Sequence, residues 1–179
     1  MIQTFDPEDC VKLQTVAAAV VLLVCVLGVK GQVADWYCKM KQIRILRDSY
    51  EDVVKLLGTP VDGTTKREFS EYFDFPTGRM WVGFETGDCI AGPDRPERIG
   101  WNVKPFTVIE IGFSPDEWID PKALGVDLRG FTAKRVLDQP KAVEYSDEDS
   151  GTVYVVNIGR IQNVTIRPRR DQFYRRCKP

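Results

Sequence analysis

The sequence predicts an α+β fold in which one short N-terminal helix packs on an antiparallel sheet of about five or six strands. Three observations lead to this prediction. One segment has both start and stop signals of a helix, several later segments alternate apolar and polar residues, and the helix precedes the strands instead of alternating with them. A hydrophobic leader helix is expected to come before this domain.

The leader is built on Val16–Val29, an apolar run without a charged residue. Crossing a bilayer takes about 20 apolar residues, whereas about 10–14 are typical of a signal peptide or a buried helix. A buried helix would show a polar stripe, which this run lacks. Two interpretations stay open for residues 1–31: a signal peptide cleaved before Gln32, although its acidic start is unusual, or a retained single-pass anchor. Both place the α+β domain, residues 32–179, outside the cytoplasm.

The predicted helix lies within Arg47–Pro60. Asp48 is the expected N-cap, and Glu51 three residues later would complete a capping box. Gly58 and the nearby proline would end the helix. The helical spacing places one apolar stripe on a single face, formed by Val53, Leu56 and Leu57. Because so short a helix is not stable alone, we expect this stripe to dock on the sheet.

The strand predictions begin with a hairpin around the turn Pro76–Gly78. Its first arm alternates Phe69, Phe73 and Phe75 with polar residues. Its second arm places Met80, Val82 and Phe84 on one face and Trp81 on the other. Later strands are predicted at 106–113, at two or three places within 143–168, and a helical turn is predicted near 121–124.

The composition removes several kinds of chemistry. The chain of 179 residues has no histidine, which excludes Ser-His-Asp and Cys-His catalysis and the commonest zinc sites. Its five cysteines include no CxxC pair, and its net charge of −1 gives no overall preference for nucleic acid. We therefore predict no metal, no cofactor and no enzymatic activity.

Five segments in a fixed order carry a resemblance: Gly87–Cys89, Gly100–Val103, Leu124–Phe131, Glu144–Gly151 and Asp171–Cys177. Together they resemble a family of uncharacterised exported bacterial proteins. The helix segment DVVKLLGTP is also similar to the first helix of the small lipoprotein subunit of the outer-membrane barrel-assembly machinery. The resemblance implies export but no activity.

The same resemblance implies a disulfide between Cys89 and Cys177. An oxidising compartment favours such a bond, and the alternative is a pair of free thiols. Cys38 is an additional cysteine that could compete for either partner.

The C-terminal segment is rich in arginine. The residues expected to form a binding surface are Arg167, Arg169, Arg170, Arg175 and Arg176. An exported protein would meet an envelope protein or an anionic surface rather than nucleic acid, and the alternative is a solvated tail. Membrane contact is otherwise expected only through residues 15–31, if they are not cleaved.

Two acidic segments offer paired carboxylates. Ser146–Gly151 is interpreted as a solvated turn, with a calcium site as the alternative. Asp116–Asp120 surrounds Trp118, and carboxylate pairs are what glycosidases use.

These observations predict a non-enzymatic binding or interaction module that is periplasmic or secreted, or held by a single-pass anchor. The alternative is a carboxylate-based hydrolase acting on an envelope or extracellular substrate. A hydrolase should have a pocket with two carboxylates within about 10 Å of each other. A binding module should instead expose an aromatic patch that includes Trp81, Trp101 or Trp118.

Overall fold

A computed structural model describes residues 28–61, 69–86 and 100–177. These ranges contain two helices, α1 (Gly28–Gln42) and α2 (Tyr50–Leu57). The strands are β1 (Ser70–Phe75), β2 (Gly78–Phe84), β3 (Val108–Pro115), β4 (Thr132–Arg135), β5 (Ala142–Asp147), β6 (Thr152–Asn157) and β7 (Arg160–Ile166). Short 3₁₀ helices span Pro121–Leu124, Leu128–Gly130 and Arg170–Arg175. The predicted α+β class and the helical turn near residue 121 are confirmed.

The predicted leader lies mostly before the first described residue. Within the described ranges, neither helix is long and apolar enough to cross a membrane.

All strands form one seven-stranded antiparallel sheet in the order β1-β2-β3-β7-β6-β5-β4. It consists of two meanders, β1-β2-β3 and β4-β5-β6-β7. They meet where β3 pairs with β7, with Phe113 opposite Val164. The predicted hairpin around residues 76–78 is confirmed as β1-β2.

The described sheet has seven strands, one more than the upper value of the predicted five or six. The additional strand is β4, whose four residues are all exposed. Because neither of its faces is buried, its sequence has no apolar alternation to detect. It is held at the sheet edge by backbone pairing to β5, from Thr132 opposite Ser146 to Arg135 opposite Val143.

Helix α2 has its N-cap one residue later than predicted. Its N-cap is Ser49, whose Oγ accepts a hydrogen bond from the Asp52 backbone N at 3.3 Å. The Asp52 carboxylate accepts one from the Ser49 backbone N at 2.9 Å, which completes the capping box. Asp48 was the wrong choice of cap because its carboxylate is used by Arg44, which donates to it from the backbone N and from Nε.

Helix α1 is not predicted by the sequence analysis. Its residues Trp36 and Met40 are buried, and the Trp36 indole is stacked on the Phe113 ring with centroids 3.9 Å apart and planes 4° from parallel. The spacing of Trp36, Met40 and Ile43 is a helical i, i+4, i+7 pattern that could have revealed it. The charged residues between them obscured this pattern.

Both helices and Phe131, the residue after the second 3₁₀ helix, contact one face of the sheet, called here the inner face. Trp36 meets Phe113, Tyr50 of α2 meets Phe84, and Phe131 meets Tyr154. Of the predicted apolar stripe of α2, Val53 is fully buried, whereas Leu56 and Leu57 are half-buried at the edge of the core. The predicted separation of Met80, Val82 and Phe84 from Trp81 is confirmed by their burial.

We predict that Trp36→Ala lowers the free energy of unfolding by about 3–5 kcal/mol, because it empties a buried site against Phe113. Trp36→Phe should cost clearly less, since it keeps a stacked ring and the indole Nε1 has no hydrogen-bond partner in the described structure. Urea denaturation of the full chain measures both. Gln42→Ala, exposed on the same helix, is the matched control. An unchanged midpoint for Trp36→Ala would show that α1 is not part of the core.

A second prediction concerns the hydroxyl groups of Tyr37 and Tyr154, which are 2.9 Å apart and join α1 to β6. Burial, aided by Tyr37, raises the pKa of Tyr154 above its ordinary value of 10.0. Because the folded-state pKa is the higher one, the stabilising contribution is complete below pH 10 and decreases above it. Tyr154→Phe should therefore show a shallower loss of stability above pH 10 in urea titrations. Parallel curves for both proteins would contradict this prediction.

Candidate functional site

The face of the sheet opposite the helices, called here the outer face, carries a second set of side chains. The register of β1, β2, β3 and β7 aligns Tyr72, Trp81, Gly112 and Thr165 in one cross-strand row. Tyr72 and Trp81 are half-buried, and neither belongs to the hydrophobic core cluster of the described residues. The row therefore places two aromatic side chains outside the core cluster, and it continues through the buried Thr165 to the buried Val153 of β6.

Gly112 makes room for the Trp81 indole. A Cβ atom at Gly112 would lie 2.3 Å from Nε1 and 2.4 Å from Cε2 of Trp81, distances that no side chain could occupy. Gly83, two residues after Trp81 on β2, is 3.8 Å from the indole Cζ3 by the same measure. The indole thus reaches across from β2 and lies against the bare backbone of β3.

Two ion pairs stand on either side of this row. Arg79 Nε donates to Asp74 at 2.7 Å, and Arg167 Nε donates to Glu110. The register places the first pair on β1-β2 and the second on β3 and the residue after β7. The four charges cancel, so the surroundings of Trp81 carry no net charge from these groups.

Neutral hydrogen-bonding groups lie beside Trp81 on the outer face of β3 and β7. Asn163 Nδ2 donates to Ser114 Oγ at 3.0 Å, and Thr165 Oγ1 donates to Asn163 Oδ1 at 2.8 Å. The contacts orient the Asn163 amide while using one of its two N–H groups. Thr165 belongs to the row of Trp81, and Ser114 and Asn163 lie two residues farther along their strands.

The arginines predicted as a binding surface are not one free cationic patch. Arg167 pairs with Glu110, and Arg169 pairs with Asp171 at 3.1 Å. Arg170 contacts two carboxylates of the acidic turn, those of Glu148 at 3.1 Å and Asp149 at 3.4 Å. Their charges are therefore largely compensated within the chain.

The last two of these arginines hold the C-terminal segment. Arg175 Nη1 donates to the Leu46 carbonyl at 3.1 Å. The Arg176 guanidinium lies over the Trp101 ring at 5.8 Å and the Phe173 ring at 5.7 Å, as in cation–π contacts. Both contacts are typical of a segment that is attached to the domain.

A shallow polar cavity of ≈ 250 Å³ involves the acidic turn and Arg170. Its lining comprises Gly130, Thr132, Ser146, Asp147, Glu148, Asp149 and Arg170. A hydrogen bond from the Ser150 side chain lowers the pKa of Asp147. Within the described ranges, no group of three or more Cys, Asp or Glu residues is arranged to hold a metal ion.

The three tryptophans proposed for an aromatic patch lie in different places. Trp81 is on the outer face, and Trp101 pairs with Arg176 near the C-terminus. Trp118 is 40% exposed in the connector after β3. The structure therefore does not bring them together, and the aromatic neighbour of Trp81 is Tyr72 instead.

Glu85 is a buried carboxylate that the sequence analysis did not identify. It is 4% exposed and accepts hydrogen bonds from the backbone N of Thr86 at 2.9 Å and of Trp101 at 2.7 Å. It thereby joins the two ends of the segment 87–99, which lies outside the described residues. No local sequence pattern distinguishes a glutamate with this role from a solvated one.

The C-terminal cysteine lies beside the same closure. The Cys177 backbone N donates to the Gly100 carbonyl at 3.0 Å. Cys38 and Cys177, the two cysteines within the described ranges, are both disulfide-bonded. Cys89, the predicted partner of Cys177, lies outside the described residues, as do Cys10 and Cys25, so the Cys89–Cys177 pairing stays a prediction.

No protein-family model and no curated protein sequence matches the chain. Among solved structures, it is similar to a DUF4309 family protein (YjgB) from Bacillus subtilis strain 168. The two chains are 13% identical with a TM-score of 0.46, and the alignment covers 78% of this chain and 97% of that one. No family assignment follows from a match at this level.

We predict that a non-reducing peptide map of the full chain will contain a linked pair of peptides carrying Cys89 and Cys177. Cys177 lies beside Gly100, the first described residue after the segment that contains Cys89. A crosslink closing a loop of about 88 residues would be worth around 4 kcal/mol, so Cys177→Ser should lower the urea midpoint accordingly. A Cys38–Cys177 peptide, or alkylation of Cys177 without reductant, would contradict the pairing.

Proposed function

We propose that this chain is a non-enzymatic binding module that works outside the cytoplasm and binds through its outer face. The observation that carries the proposal is the Trp81 indole lying against Gly112. A large aromatic side chain is most stabilising when it is buried in a core, yet this one is half-buried on the face away from the core. Aromatic side chains in such positions are typical of binding surfaces.

The cost of Gly112 supports the same conclusion. A glycine within a strand is destabilising by roughly 0.5–1 kcal/mol and offers no side chain for packing. At this position the Trp81 indole covers the backbone that Gly112 leaves bare, a cross-strand contact that offsets part of this cost. The contact also holds the indole in one orientation, which lowers the entropy cost of binding a ligand to it.

The alternative of a carboxylate hydrolase has less support. A glycosidase needs one carboxylic acid whose pKa is raised so that it can donate a proton. In the acidic cavity, the pKa of Asp147 is lowered, and Glu148 and Asp149 pair with Arg170. These carboxylates are suited to holding the C-terminal segment rather than to acid catalysis.

The extracytoplasmic location is supported by the apolar run before residue 30 and by the disulfide bonding of Cys38 and Cys177, the two cysteines in the described ranges. Disulfides persist in oxidising compartments and are rare in the cytosol. Cleavage before Gln32 and retention of residues 15–31 as an anchor are both consistent with the location.

We predict that the protein fractionates with the bacterial envelope and that the purified full chain, kept in mild detergent, is retained by envelope preparations. Trp81→Ala should reduce this retention at least tenfold, equivalent to a loss of about 1.4 kcal/mol of binding energy. Gly112→Ala should also reduce it, because the added Cβ displaces the indole. Sedimentation with envelopes measures the bound fraction.

Trp118→Ala is the matched control, since it removes an exposed indole elsewhere and should bind like the unaltered protein. Circular dichroism and the urea midpoint establish that each variant is folded. Retention that does not change in folded Trp81→Ala and Gly112→Ala would refute the outer face as the binding surface. A chain found in the cytoplasm with Met1 intact would refute the location.

A further inference from the structure

We infer that the outer face binds a neutral glycan chain, an inference that rests on the proposed function of this face. The site combines one oriented indole, a tyrosine beside it, and neutral amide and hydroxyl groups two residues farther along β3 and β7. A sugar ring has the matching chemistry, because its C–H face is apolar and its rim carries hydroxyl groups.

The charged groups around Trp81 favour an uncharged ligand. Each cation near Trp81 has its own carboxylate: Arg79 pairs with Asp74, and Arg167 pairs with Glu110. A phosphate or an anionic headgroup would need cations that are free to compensate it. The paired charges attract neither an anionic nor a cationic ligand strongly. This surface therefore suits an uncharged polar ligand.

The hydrogen-bonding groups fit the rim of a sugar. Within the described contacts, the Asn163 amide uses one N–H on Ser114 and its oxygen on Thr165. Its second N–H remains as a donor, and the Ser114 hydroxyl hydrogen remains as another. Both groups are held by neighbouring side chains, so less conformational entropy is lost when they bind.

The position of Trp81 within the sheet argues against an extended peptide. Peptides that bind as an added strand need an unpaired sheet edge. Strand β2 lies between β1 and β3, and its backbone groups pair with both neighbours. Strand β1 is an edge strand, but its Tyr72 carbonyl already accepts a hydrogen bond from the Val61 backbone N at 2.8 Å. Recognition beside Trp81 therefore falls to side chains, as it does for a ring stacked on an indole.

The test starts from the Trp81-dependent retention of the full chain on envelopes. Separate envelope samples are treated with periodate and lysozyme, which degrade glycans, with protease, or with organic solvent, which removes lipid. We expect only the glycan-degrading treatment to abolish retention. Soluble chitin oligosaccharides, β-glucan and α-glucan are then used as competitors, and at least one should reduce retention tenfold.

A salt series gives an independent readout. Retention through a neutral glycan should change little between about 50 and 500 mM NaCl, whereas binding to an anionic ligand should weaken strongly. Asn163→Ala should weaken retention severalfold. Gln139→Ala, which removes an exposed amide from the turn between β4 and β5, serves as the matched control.

The outcomes separate the two proposals. The glycan inference would be refuted if Trp81-dependent retention survived the glycan treatment, or if protease or solvent abolished it. The proposal that the outer face binds a ligand would still stand. Strong salt dependence would overturn the neutral ligand. Retention that is independent of Trp81 in folded variants would instead remove the proposed function itself.

Discussion

The stacking of Trp36 on Phe113 is the contact on which the rest of the structure depends. Phe113 lies on β3 where the two meanders meet, opposite Met80 of β2 and Val164 of β7. Covering it with an indole excludes water from the junction that joins the two halves of the sheet. The same contact fixes which face is the inner one, so every alternate residue of the central strands is assigned to the outer face.

Much of the fold could be predicted because apolar residues alternate with outward-facing residues along the central strands. Met80, Val82 and Phe84 alternate with outward residues, and such alternation is readable without a structure. Strand β4 and helix α1 could not be predicted with the same ease. The first depends on backbone pairing at an exposed edge, and the second has its apolar spacing interrupted by charged residues.

The candidate site was less predictable, because the sequence marks residue types and not their partners. The acidic turn and the arginine-rich segment were both notable by composition, yet the structure pairs them with each other, since Arg170 contacts both Glu148 and Asp149. Conversely, no sequence motif marks Gly112. Its role is visible only in the structure, where the indole of its cross-strand partner Trp81 lies against it. Pairings across the sheet, rather than local motifs, therefore define this surface.

The closure made by Glu85 has a consequence for how this domain could diversify. One carboxylate binds the backbone N of both Thr86 and Trp101. These two residues are therefore held in place independently of the sequence between them. The entropy of closing a longer loop grows only slowly with length, by about 0.6 kcal/mol for each doubling. The site between residues 86 and 101 is therefore a natural place for insertions, where new sequence could be acquired without redesign of the sheet.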